Sequence, residues 1–209
     1  MLFITAKQKS EGVKYLVQIV VYDLPDRDCA ALASNGEFSI ANDGLNKYKN
    51  YIDQIAKQVA AYPDVRVVAI VEPDSLANLV TNLNVSKCNG AQTAYKEGVI
   101  YAMKTLNSVK VFQYLDAGHA GWLGWQANLQ PAANLYKQLY ASAGSPEYVR
   151  GLASDVSNYN ALVYAALHCF SHPKHTLTCP LIVPRPLTQS PLETATTTRS
   201  TTWKLWVLS

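Results

Sequence analysis

The sequence predicts an α/β domain built on a parallel sheet. Three β-branched apolar runs carry that expectation, together with the helix-like segments between them and the acids that end each run. The runs are Leu16–Tyr22, Arg66–Val71 and Lys110–Leu115. Such near-continuous apolar runs suit strands buried on both faces. After the first, Leu45, Tyr48, Ile52, Ile55, Ala56, Val59 and Ala60 recur at spacings of three and four, and after the second Ala94, Gly98, Tyr101, Ala102 and Leu106 do the same. That is the period of a helix with one apolar face. A third helical stretch over about 131–141 precedes a fourth expected strand around 149–156. Right-handed crossovers then make the strands parallel.

Composition narrows the function classes. The chain has 209 residues, 49% of them hydrophobic and 16% charged, with a formal net charge of +3. It is too apolar for a disordered chain and too weakly basic to bind nucleic acid through a general positive field. No apolar run reaches the roughly 18 to 20 residues of a membrane span, so neither nucleic acid nor membrane is an expected partner. The apolar start Met1–Ala6 runs at once into Lys7, Lys9 and Glu11, too soon for a signal-peptide core. No GxGxxG or GxxxxGK follows any strand, which argues against a nucleotide-binding domain.

The four cysteines contain no CxxC, which leaves a disulfide framework open without demanding one. His168, Cys169, His172, His175 and Cys179 offer metal-ligand atoms, but Pro173 interrupts them and no zinc spacing fits. No metal or cofactor is expected. From residue 162 onward the character changes: five of the ten prolines fall there, no glycine does, and 193–202 is rich in threonine. The expected organisation is therefore a short N-terminal stretch over 1–14, a domain over 15–161, and a disordered tail over 162–209.

Each of the first three strands ends in acid, at Asp23, at Glu72 and Asp74, and at Asp116, and Asp28 follows in the first loop. In parallel α/β folds the carboxyl ends of the strands carry the chemistry, so these carboxylates should meet on one rim. The plainer reading of any one of them is a helix cap.

Around these acids the chain resembles the glycoside hydrolase family 6 cellulases, especially the fungal cellobiohydrolase II type. The resemblance rests on Val21-Tyr22-Asp23-Leu24-Pro25-Asp26-Arg27-Asp28-Cys29, Val71-Glu72-Pro73-Asp74-Ser75-Leu76, Tyr114-Leu115-Asp116-Ala117-Gly118-His119 with Trp122 and Trp125, and Arg150-Gly151-Leu152-Ala153-Ser154-Asp155 through Asn158. It implies a distorted parallel (β/α) barrel, here partial and incomplete at both ends. It also implies a secreted, monomeric enzyme that inverts as it hydrolyses β-1,4-glucosidic bonds of cellulose and releases cellobiose. A truncated, inactive carbohydrate-binding remnant and an endoglucanase of the same family are the alternatives.

Glycosidic cleavage needs a proton for the leaving oxygen and either a nucleophile or an activated water. By resemblance Asp74 is the proton donor and Asp28 the neighbouring carboxylate that keeps it protonated. Tyr22 lies beneath the distorted sugar, and Ser34 belongs to the loop that holds the catalytic water. Trp122 and Trp125 line the leaving-group side, His119 and Asn158 bind sugar hydroxyls, and Asp116 supports the site. Cys29 and Cys88, the latter expected in the loop before the second helix, match a family disulfide. That pair implies an oxidising compartment, and the glycosylation sequon Asn84-Val85-Ser86 agrees with secretion. The base, and the Trp, Lys and Glu that bind sugar beside it in the family, have no counterpart in 162–209.

Overall fold

The computed structural model describes residues 1–158 and the backbone of 203–207. The elements run α1 (Leu2–Glu11), β1 (Lys14–Val21), a 3-10 turn (Ile40–Asn42), α2 (Gly44–Ala60), β2 (Arg66–Val71), α3 (Ser75–Thr81), α4 (Ser86–Ser108), β3 (Phe112–Asp116), α5 (Gln126–Ser142), β4 (Val149–Ala153) and β5 (Trp203–Val207). The strands form one sheet in the order β4-β3-β2-β1-β5, and every pairing is parallel. All four expected strands are present.

Among the described residues one face is fully buried and the other only partly. In β1 Tyr15, Val17 and Val21 are buried while Val20 is 47% exposed, and in β2 Val67, Ala69 and Val71 are buried while Val68 and Ile70 keep some exposure. The well-covered face packs against α2 and α4 through Tyr48, Ile52, Tyr95, Val99, Met103 and Leu106. The register places Gln18, Val68 and Phe112, then Val20, Ile70 and Tyr114, in rows on the other face. β-branched side chains explain the strand-forming runs whichever faces are covered, so the runs specified strands without fixing how many layers cover them.

Helices α2 and α4 meet closely at Gly98. A Cβ there would lie 2.5 Å from Leu24 Cδ2 and 3.1 Å from the Tyr48 ring. The contact fixes Leu24 at the carboxyl end of β1, beside the candidate site.

The expected N-terminal stretch is instead helix α1, anchored by Gln8: its Oε1 accepts the Tyr15 N–H at 2.8 Å, and its amide donates to the Asp64 carbonyl at 3.3 Å. Beside Gln8 only Ile4 of this helix is buried, too few apolar positions to show a helical stripe in the sequence. Within 162–209, expected to be disordered, the backbone of 203–207 pairs with β1 from Lys14↔Trp203 to Gln18↔Val207. The His168–Cys179 cluster lies outside the described residues.

Candidate active site

The carboxyl ends of β1, β2 and β3 form one rim, and their backbones are joined there by side-chain carboxylates. Two clamps do this. At the β1–β2 junction Glu72 Oε1 accepts the Asp23 N–H at 3.1 Å and Oε2 the Leu24 N–H at 3.3 Å. At the β2–β3 junction Asp116 Oδ2 accepts the Asp74 N–H at 2.8 Å and the Gly118 N–H at 2.9 Å. The acids expected to meet on a rim do meet there, but Glu72 and Asp116 are spent on holding backbone.

Both clamps are buried, and burial acts on their charge. Burial raises the Glu72 carboxyl to about 8; the Asp23 N–H, the Tyr48 hydroxyl and the Leu24 N–H oppose the shift, and the Asp23 charge adds to it. Tyr48 lies against Glu72 without a hydrogen bond of ordinary geometry and is fully buried. Asp116 is likewise raised by burial, to about 6; the Gly118 and Asp74 N–H groups oppose the shift and the Asp74 charge adds to it. Its Oδ1 is buried with no partner, an arrangement a protonated carboxyl tolerates better than a carboxylate.

Between the clamps the backbone is strained. Glu72 has φ 56°, Asp74 φ 59°, Asp28 φ 52° and Asp26 φ 55°. Left-handed conformations cost non-glycine residues roughly 1–2 kcal/mol each, and their concentration at this rim is typical of functional sites. Asp74 immediately precedes α3, which holds it from behind by an Asn78 Nδ2 bond to the Asp74 carbonyl at 2.8 Å. Its carboxylate accepts from Ser157 Oγ at 2.5 Å and Asn158 Nδ2 at 3.2 Å, so the loop after β4 closes onto it.

The Asp28 loop follows β1 on the same rim. Asp28 Oδ2 accepts the Ser34 N–H at 2.6 Å, and Arg27 Nε donates to the Ser34 carbonyl at 2.9 Å. Arg27 also stacks 4.3 Å over the Tyr22 ring, donates to the Tyr22 carbonyl and pairs with Asp23 at 3.3 Å. The Tyr22 hydroxyl is raised first by burial and then by the Asp28 and Asp74 charges, with the Ser34 side chain and Arg27 opposing. Ser34, Asp28 and Asp74 thus all act on the Tyr22 hydroxyl.

The Cys29 and Cys88 sulfurs are bonded, across a separation of 59 residues. Cys88 sits in the first turn of α4, not in a preceding loop. The largely polar run Ser86–Gly90 concealed the first turn of the helix, and Cys88 and Ala91 are the buried side of that start. Lys87 reinforces the bond by donating to the Arg27 carbonyl at 3.2 Å and Asn35 Oδ1 at 2.7 Å.

The aromatic pair divides. The Trp122 indole N–H bonds Thr81 Oγ1 at 2.6 Å, and its ring lies 5.8 Å from that of His119, whose Nδ1 is buried without a partner. Trp125 is 58% exposed and bonds back to the Gly121 carbonyl at 2.7 Å, within its own turn. Glu72 as a clamp, Arg27 and Ser157 were not singled out by sequence. Glu72 sat in the Val71-Glu72-Pro73-Asp74 block, where its place one residue past an apolar strand was the available signal.

The profile of glycosyl hydrolases family 6 matches residues 2–177. The chain belongs to this family. The family match extends past both ends of the 15–161 block. Exoglucanase 3 of Agaricus bisporus is 74% identical over 147 residues, covering 70% of this chain and 34% of that protein. The CcCel6A catalytic domain complexed with p-nitrophenyl beta-D-cellotrioside superposes with TM-score 0.76 at 63% identity, covering 77% of this chain and 45% of that one. Cellobiohydrolase II (Cel6A) from Humicola insolens, in complex with glucose and cellotetraose, gives TM-score 0.73 at 54% identity, covering 78% and 47%. The fold is the α/β fold of family 6 domains, with the sheet open over the described residues. The chain spans about a third of the length of the curated relatives it matches.

Proposed function

We propose that the chain carries the proton-donor side of a secreted cellobiohydrolase site, which hydrolyses β-1,4-glucosidic bonds of cellulose with inversion and releases cellobiose. One observation carries the proposal: in a family 6 chain, Asp74 stands at the β2 end with its backbone fixed by Asp116 and its carboxylate facing Ser157 and Asn158. A carboxyl anchored through its backbone at a strand end can, once protonated, deliver that proton to a bound leaving oxygen.

The other roles are those the family resemblance implies. Asp28 supplies negative charge beside the reacting carbon, and Tyr22, stacked on Arg27, lies under the sugar. Ser34, tied to Asp28 and Arg27, holds the water-bearing loop. Asp116 positions Asp74 and is not itself the donor. Trp122 and Trp125 offer faces to pyranose rings, while His119 and Asn158 bind hydroxyls. The partner is a β-1,4-glucan chain, and neither a cofactor nor a second copy is required by this scheme.

The test is leaving-group dependence, measured in this chain joined to the C-terminal portion of a family 6 relative. Asp74→Asn should lower hydrolysis of cello-oligosaccharides by about 10²–10⁴-fold. A substrate whose leaving group needs no proton should lose far less. Equal losses on both substrates would remove Asp74 from the donor role.

A further inference from the structure

We propose that Asn84 is an N-glycosylation site, carrying an oligosaccharide on the turn between α3 and α4. Asn84-Val85-Ser86 is the one Asn-X-Ser/Thr sequence in the chain. A sequon alone is a weak signal; a folded turn that tolerates a glycan there adds to it. The Val85 N–H bonds the Asn82 carbonyl at 3.0 Å, and the Asn89 N–H bonds the Val85 carbonyl at 2.9 Å. Asn89 Nδ2 holds the Leu83 carbonyl at 3.1 Å, and Asn82 Nδ2 donates to Asn78 Oδ1 at 2.7 Å. The residues on either side of Asn84 are therefore fixed by bonds to which the Asn84 and Ser86 side chains contribute nothing.

Both of those side chains belong to exposed residues, whereas Cys88, two residues past Ser86, is fully buried. Among the described residues a glycan on the exposed Asn84 would displace no side-chain hydrogen bond, and the Ser86 hydroxyl is not committed elsewhere in the turn. The second observation is independent. The Cys29–Cys88 bond requires an oxidising compartment, and in a eukaryotic cell the compartment that forms such bonds also transfers oligosaccharide to sequons. The Asn84 amide nitrogen bonds to the anomeric carbon of a lipid-pyrophosphate-linked oligosaccharide. The lipid pyrophosphate departs with the electron pair of the broken C–O bond, and the amide gives up one proton.

The test directs the whole chain into the secretory pathway of a yeast behind a secretion leader and measures intact mass before and after peptide N-glycosidase in isotope-labelled water. One glycan should be removed, leaving labelled aspartate at position 84. Asn84→Gln and Ser86→Ala should abolish it, and Ser86→Thr should retain it. Transfer precedes folding, so the microsomal precursor is read in the same way and a secretion defect does not obscure the result. An unmodified mass in material that has entered the pathway, or a glycan that persists in Asn84→Gln, would overturn the proposal.

Discussion

At the scale of single residues, this site uses acids for two different purposes. Glu72 and Asp116 are buried and accept backbone N–H groups at the strand junctions, whereas Asp28, bound to the Ser34 N–H within its own loop, and Asp74 stay partly exposed. The buried pair makes stability depend on pH with a definite sign. Both folded-state values are raised, Glu72 from 4.5 to about 8 and Asp116 from 3.8 to about 6. Each acid therefore stabilises the fold fully below its ordinary value, and the contribution is lost as pH rises through about 6 for Asp116 and about 8 for Glu72. Urea unfolding across this range should show a midpoint that falls steadily between pH 5 and 8. Glu72→Gln should cost about 1–3 kcal/mol at pH 5, because one N–H loses its acceptor, and should flatten the upper part of the curve. A variant curve running parallel to the wild type would show that Glu72 is not the group responsible.

At the scale of elements, sequence patterning succeeded where apolar period decides structure and failed where polar anchoring does. The β2 bounds were read correctly as Arg66–Val71, and α2 was read from the Leu45-to-Ala60 stripe. Helix α3 was missed because a seven-residue helix with Ser75, Leu76, Ala77, Asn78 and Leu79 all buried has no amphipathic stripe to detect. The rim acids were legible as strand ends. Their division into buried clamps and partly exposed groups was not, since that depends on where the N–H groups of the neighbouring strand fall.

The disulfide acts at this same scale, tying the loop after β1 to α4. Closing a loop of 59 residues removes unfolded-state entropy equivalent to about 4 kcal/mol in the chain-entropy account. Cys29→Ser with Cys88→Ser should therefore lower unfolding free energy by about 2–4 kcal/mol. Denaturant melts with and without reductant will measure it. Equal stability of both forms would show that Lys87 and the Arg27 bonds hold the loop unaided.

At the scale of the whole molecule, the decisive quantity is how much of a family 6 domain the chain supplies. It spans about a third of its curated relatives' length, and among the described residues β4 is paired only with β3. The neighbouring surface exposes Leu152 at 54%, Leu129 at 46% and Trp125 at 58%. An unpaired parallel edge beside exposed apolar side chains favours association over a stable monomer. The chemistry points the same way, because inversion needs a carboxylate that activates water on the face opposite the donor. The described residues place Asp28 and Asp74 together around Tyr22, on the donor side of the proposed scheme. The 209-residue chain alone should therefore hydrolyse cellulose far more slowly than a complete family 6 enzyme, even with the Asp74 site intact. Joining the C-terminal portion of a relative after residue 161 should restore soluble monomer and activity together, as read by sedimentation and by cellobiose release. Full activity from the unaltered chain would show that the opposite side of the site is supplied within these 209 residues.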